Sequence, residues 1–140
     1  MPRFSKRSNE RLATCRQDLQ CLFHEVIKHF DCTIICGYRS QEEQERAFME
    51  GKSKLRFPDS KHNQIPSLAV DVAPYDKDLK NIDWQDIRRM YLFAGFVLGV
   101  ASQMGIDIRW GGDWDSDTDI KDNSFNDLVH FEIEIRDKYS

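Results

Sequence analysis

Two short segments restrict the fold more than anything else in the chain: Leu68-Ala-Val-Asp-Val-Ala73 and Asp127-Leu-Val-His-Phe-Glu132. Both alternate large apolar residues with small or ionisable ones, and successive residues of a strand point to opposite faces of a sheet. In the first, Val70 and Val72 take one face and Asp71 the other, between Ala69 and Ala73. In the second, Val129, Phe131 and Ile133 take one face, while His130 and Glu132 share the other. The chain must therefore build a sheet with one apolar face and one face that carries carboxylates and an imidazole. A carboxylate between alanines on such a strand needs a partner, because burying an unpaired charge is costly.

The apolar face needs helices to cover it. Leu12, Cys15, Leu19, Leu22, Phe23, Val26, Ile27 and Phe30 recur at intervals of three and four, which predicts one long helix capped by Ser8. Cys32 to Cys36 reads as a short buried strand stopped by Gly37, and Ser40 with Glu43 forms a capping-box pattern that opens a helix to about Met49. That places Arg39 at a strand-to-helix junction. Residues 51–67 are polar and basic, contain Pro58 and Pro66, and read as an ordered loop longer than most connections. Asp83 is positioned to cap a long helix whose apolar face includes Ile87, Met90, Tyr91, Ala94, Val97, Leu98 and Met104, with Gly105 at its C-terminal turn. Ile106 to Trp110 and Leu128 to Ile135 read as strands on either side of an Asp-rich loop. The expectation is an α+β fold, a small, mainly antiparallel sheet with helices packed on it, forming a single domain over residues 1–140.

A formal net charge of -4 argues against nucleic acid or an anionic membrane as a partner, since such binding draws on neutralised phosphates. Residues 62–140 hold 15 of the 24 acids but 8 of the 20 bases, which points to an acidic site in that half. The N-terminus has positive charge but no apolar run, and no stretch is long enough to insert in a membrane, so synthesis as a cytoplasmic product is expected. Cys15, Cys21, Cys32 and Cys36 read as buried free thiols.

His62 joins Asp71 and His130 as a candidate metal set. Two histidines and one carboxylate form a known catalytic zinc combination that leaves a fourth position for water. Zinc brings the pKa of such a water down to about 7 and polarises a peptide carbonyl, and a nearby carboxylate can take the proton during attack. Asp127, at the loop-to-strand bend, is one candidate base, although strict alternation would put it on the wrong face. Glu132, on the same face as His130, competes with it. Taken singly, a His or Asp in such a place is more often a hydrogen-bonded structural residue, and the chain has no His-Glu-x-x-His helix.

The ordered series Gly37-Tyr-Arg39-Ser40 with Gln44, Ser60-Lys-His62 with Ala69-Val-Asp71, Trp110-Gly-Gly-Asp113-Trp114 and Asp127-Leu-Val-His130-Phe-Glu132 covers nearly the whole chain. It resembles the phage endolysin branch of the D-alanyl-D-alanine carboxypeptidase and L-alanyl-D-glutamate peptidase family. The resemblance implies a zinc endopeptidase that cuts the stem peptide of bacterial peptidoglycan between L-alanine and D-glutamate. By it, His62, Asp71 and His130 match the metal ligands, Asp127 the catalytic acid/base, and Arg39 the arginine near the scissile group. Gln44 and Ser60 would line the substrate cleft. It further implies a monomer without a separate cell-wall-binding domain, which reaches the wall once a membrane pore opens. Many relatives have a glycine and a shorter gap between the first His and the Asp, whereas residues 63–70 separate them here. A D,D-carboxypeptidase with the same metal set, and a zinc-stabilised wall-binding module without activity, are the rival readings.

Other features carry weaker expectations. Asp113, Asp115, Asp117, Asp119 and Asp122 alternate like the start of a calcium loop but lack the glycine and the bidentate Glu that complete one, so a regulatory calcium competes with a solvated loop. Trp84 is expected to pack inward, and Trp110 and Trp114 are open to stacking or packing. Lys52, Lys54, Arg56 and Lys61 form a basic run suited to an anionic polymer or to solvent, and His24 and His29 read as surface residues.

Overall fold

The computed structural model describes residues 2–114, 116, 118 and 127–134. Helices α1 (Lys6–Leu12) and α2 (Gln17–Val26) precede strand β1 (Cys32–Cys36) and helix α3 (Gln41–Met49). A 3-10 turn over Lys61–Asn63 leads to β2 (Ala69–Pro74), followed by helix α4 (Ile87–Met104), β3 (Ile108–Gly111) and β4 (Asp127–Ile133). The four strands form one antiparallel sheet in the order β1-β2-β4-β3, so the two alternating segments of the sequence are its central strands.

Their apolar side chains meet α2 and α4. Leu19, Leu22, Phe23 and Val26 from α2 join Phe93, Ala94, Val97 and Ala101 from α4 over Ile34, Val70, Val72, Phe131 and Ile133. Phe131 lies at the centre, edge-on to Phe23 at 5.6 Å and to Phe93 at 6.2 Å between centroids. Aromatic pairs in that arrangement add to the stabilisation from area burial.

The expected single first helix is two helices. Residues 13–16 leave the helical path because their groups bond elsewhere. Ser67 N–H donates to Thr14 O at 2.9 Å, Arg16 N–H to Ser67 O at 2.9 Å, and Tyr38 N–H to the Thr14 hydroxyl at 2.8 Å. The cap of α1 is Ser5, not Ser8. Ser8 is buried, and its hydroxyl accepts from Ile34 N–H at 3.1 Å while Arg11 Nη1 donates to Ile34 O at 3.0 Å. Side chains of α1 thus occupy the free edge of β1, which would otherwise present unpaired backbone groups.

The capping box of Ser40 and Glu43 is present at α3, and Gly105 ends α4 at φ 72°. The cap of α4 is Asp86; Asp83 accepts from Gln85 N–H in the turn before it. Trp84 does not pack inward as expected but is 55% exposed, because the helix begins after it. All four cysteines are free. Cys15 and Cys32 are buried, and burial raises both thiols, Cys15 to about 12, so they are inert at neutral pH. Cys21, expected to be buried, is exposed. No described helix is long and apolar enough to cross a membrane.

Candidate metal centre

Register alone brings most of the site together. Asp71 on β2 pairs directly with His130 on β4, Ala69 with Glu132, and Glu132 in turn with Arg109 on β3. The side chains that alternate with the core residues therefore form one continuous row on the other face of the sheet. His62 arrives from the 3-10 turn, where the Ser60 hydroxyl accepts from its N–H at 3.2 Å. It is held across the cleft by β1 and the residues after it: its ring lies 2.7 Å from Gly37 O, and Arg39 N–H donates to His62 O at 2.8 Å.

The hydrogen bonds define which ring nitrogens are available. A carbonyl only accepts, so His62 Nδ1 carries a proton toward Gly37 O and Nε2 is the nitrogen that faces the site. His130 Nε2 lies 2.8 Å from Glu132 Oε1 and donates to it, leaving Nδ1 as the nitrogen that faces the site. His62 Nε2 and His130 Nδ1 lie 3.3 and 3.2 Å from the same oxygen, Asp71 Oδ1. One ligand atom from each residue lies within 4.8 Å of the other two, and all three residues are buried. Two imidazole nitrogens facing one carboxylate oxygen form an arrangement that attracts positive charge, a proton in the absence of a metal. Burial pulls the His62 imidazole down, but Asp71 outweighs it and pushes the group up to about 10. Burial likewise favours protonated Asp71, yet His62 and His130 hold it far below the ordinary carboxylate range. The donor set fits a divalent zinc-type cation.

Glu132 is a clamp and not a free base. Its Oε2 lies 2.8 Å from both Lys61 Nζ and Arg109 Nη2, and Lys61 also donates to Ile133 O at 2.6 Å. Burial raises its pKa, but hydrogen bonds from His130 and Lys61 prevail and hold it at about 2. The sequence hint of this role was the shared face with His130; the cations that complete it come from a loop and from β3.

Asp127 reaches the same cleft through an irregularity in β4. Trp110 pairs with Phe131, but Gly111 pairs with Asp127 instead of His130, so β4 bulges between them. A Cβ at position 111 would run into the Asp127 carbonyl, which makes glycine a requirement of this approach. Asp127 is partly exposed, and its carboxylate accepts no hydrogen bond from any described residue. Burial first, then the charge of Asp71, raises its pKa.

Arg39 Nη1 donates to Gln44 Oε1 at 3.0 Å and Nη2 to Asp71 Oδ2 at 3.3 Å, which fixes the guanidinium beside the proposed ligands. Gln44 is fully buried behind it, with Nε2 donating to Ser53 Oγ and Leu55 O and Oε1 also accepting from Asn63 Nδ2. It therefore orients Arg39 and is not part of the cleft wall. Ser60 does line the cleft, a cavity of about 970 Å3 that also includes Arg39, His62, Asp71, Trp114, Asp127, His130 and Glu132 in its walls. Of the candidate calcium ligands, Asp113 is buried and accepts from Thr118 N–H at 2.9 Å. Asp115, Asp117, Asp119 and Asp122 lie outside the described residues.

Comparison with known proteins places this geometry in context. A family model described as phage L-alanyl-D-glutamate peptidase matches residues 1–134. A search of curated protein sequences returns no match. The crystal structure of Serratia marcescens L-Ala D-Glu endopeptidase ChiX superimposes with a TM-score of 0.72 at 23% identity, covering 95% of this chain and 91% of that one, and so shares the fold.

Proposed function

The chain belongs to the phage L-alanyl-D-glutamate peptidase family and is an endopeptidase of peptidoglycan stem peptides, and we propose that it works as a zinc enzyme of host lysis. The observation that carries the zinc reading is the convergence of His62 Nε2 and His130 Nδ1 on Asp71 Oδ1. His62, Asp71 and His130 would hold the ion. When bound, zinc supplies Lewis acidity that makes water nucleophilic near neutral pH and polarises the scissile carbonyl.

The remaining chemistry falls to side chains of the chain itself. Asp127, with a raised pKa and no hydrogen bond from the described residues, accepts the proton of the attacking water and delivers it to the departing amine of D-glutamate. Arg39, held by Gln44 and Asp71, directs its guanidinium to the developing oxyanion or to a substrate carboxylate. Glu132 keeps His130 in the tautomer whose Nδ1 is free. None of these steps requires calcium; Asp113 accepts from Thr118 N–H, and the other acids of that loop lie outside the described residues. The protein would be made in the host cytoplasm and act on the wall after a separate pore has opened the membrane.

Metal analysis combined with mass spectrometry of digested peptidoglycan tests this reading. About one zinc per chain, with new L-alanine C-termini and D-glutamate N-termini, is the expected result. Release of free D-alanine would replace the endopeptidase assignment with a D,D-carboxypeptidase.

A further inference from the structure

The three tryptophans differ in what they touch. Trp110 is buried, donates from Nε1 to Leu128 O at 2.9 Å and meets Tyr91 edge-on at 5.5 Å. Trp114 lies 5.3 Å from the His130 ring, with the Arg109 guanidinium over it at 5.5 Å. Trp84, between β2 and α4, is 55% exposed, and neither its ring nor its indole N–H has a hydrogen-bond, ring or cation partner among the described residues. Yet it forms part of the wall of the cleft that holds His62, Asp71 and His130.

A bare indole in a cleft wall suits a ligand with a flat C–H face and an acceptor near its rim. The cleft, at about 970 Å3, is at the upper end of the roughly 300–1,000 Å3 typical of small-molecule sites, so it has room beyond the two residues around the scissile bond. In the stem-peptide substrate the flat C–H face belongs to the pyranose ring of the amino sugar, which is joined through a lactyl ether to the L-alanine. The peptide beyond D-glutamate instead offers flexible chains, carboxylates and an ammonium group; an indole face attracts only the last of these, and a free peptide keeps it, so a preference for the sugar-linked substrate reports on the sugar. Resting on the peptidase reading above, we propose that Trp84 is a sugar subsite, through which the enzyme favours stem peptides still attached to the glycan over free peptides.

The test compares kcat/KM of the metal-loaded enzyme for a muramyl-linked stem peptide and for the same peptide without sugar. Wild type is expected to favour the sugar-linked substrate by about three- to tenfold, mainly through KM. In Trp84→Ala that ratio falls to about one, and Trp84→Phe retains part of it. A ratio unchanged in Trp84→Ala, including equal losses on both substrates, would overturn the subsite while leaving the peptidase reading in place. Wild type cleaving neither substrate would overturn both.

Discussion

On the rear of the sheet Val70, Val72 and Phe131 pack against two helices; one residue along the same strands, on the front, Asp71, His130 and Glu132 face a cleft. The two faces are almost equally buried: Val70 is 0% exposed and Asp71 only 8%. They differ in how burial is balanced. Rear residues gain from leaving water, by about 1.5–3 kcal/mol for each large side chain. Front residues lose hydration and recover it only through one another, Asp71 through two imidazoles and Arg39, Glu132 through His130, Lys61 and Arg109. The comparison teaches that the front is held in place by the rear, and that its charges are arranged for a cation and a substrate at some cost to stability.

The largest expected effect separates activity from stability. Asp127→Asn should lower kcat by about 10²–10⁴-fold with zinc retained, measured on purified peptidoglycan. Asp127 has a raised pKa, so its charged form disfavours the fold above that pKa, and the variant's metal-free melting temperature should equal or exceed wild type. A drop in melting temperature without loss of kcat would reverse the roles of the two faces here.

Phe131→Ala, on the rear, should cost about 3–5 kcal/mol in denaturant unfolding. Its folded fraction should still bind zinc. A loss below about 1 kcal/mol would show that the core does not anchor the front. Glu132→Gln is the finest probe, since it keeps an oxygen for His130 Nε2 but removes the charge shared with Lys61 and Arg109. Zinc affinity should weaken by about 10- to 100-fold in chelator competition. Unchanged affinity would make the clamp a purely structural feature.

Much of this organisation was legible in the sequence, for identifiable reasons. Strand alternation assigned Asp71, His130 and Glu132 to one face because that face depends only on local geometry. The Ser40–Glu43 box and Gly105 are likewise local signals. What was not legible is nonlocal. Ser67 donates to Thr14 O and accepts from Arg16 N–H, backbone bonds that break an otherwise helical period. The bulge that turns Asp127 toward His130 is paired to Gly111, and no periodicity within β4 announces it. Residue pattern alone left Glu132 and Asp127 as competing bases, and only the resemblance favoured Asp127, because the Lys61 and Arg109 that occupy Glu132 come from other elements. Gln44 looked like a wall residue because its place on α3 says nothing of the Ser53 and Leu55 groups that enclose it.

His62 is held from two sides, by Gly37 and Arg39 across the cleft and by the chain that leads on to Asp71, where Leu68 N–H donates to Lys61 O at 3.1 Å. Within the span between the first and second candidate ligands, Asn63 and Ser67 are buried and bonded to neighbouring elements, and only Gln64, Ile65 and Pro66 between them are exposed. Ile65, 81% exposed within that span, marks where the enzyme can accept foreign residues, such as a short targeting peptide, without retuning its chemistry.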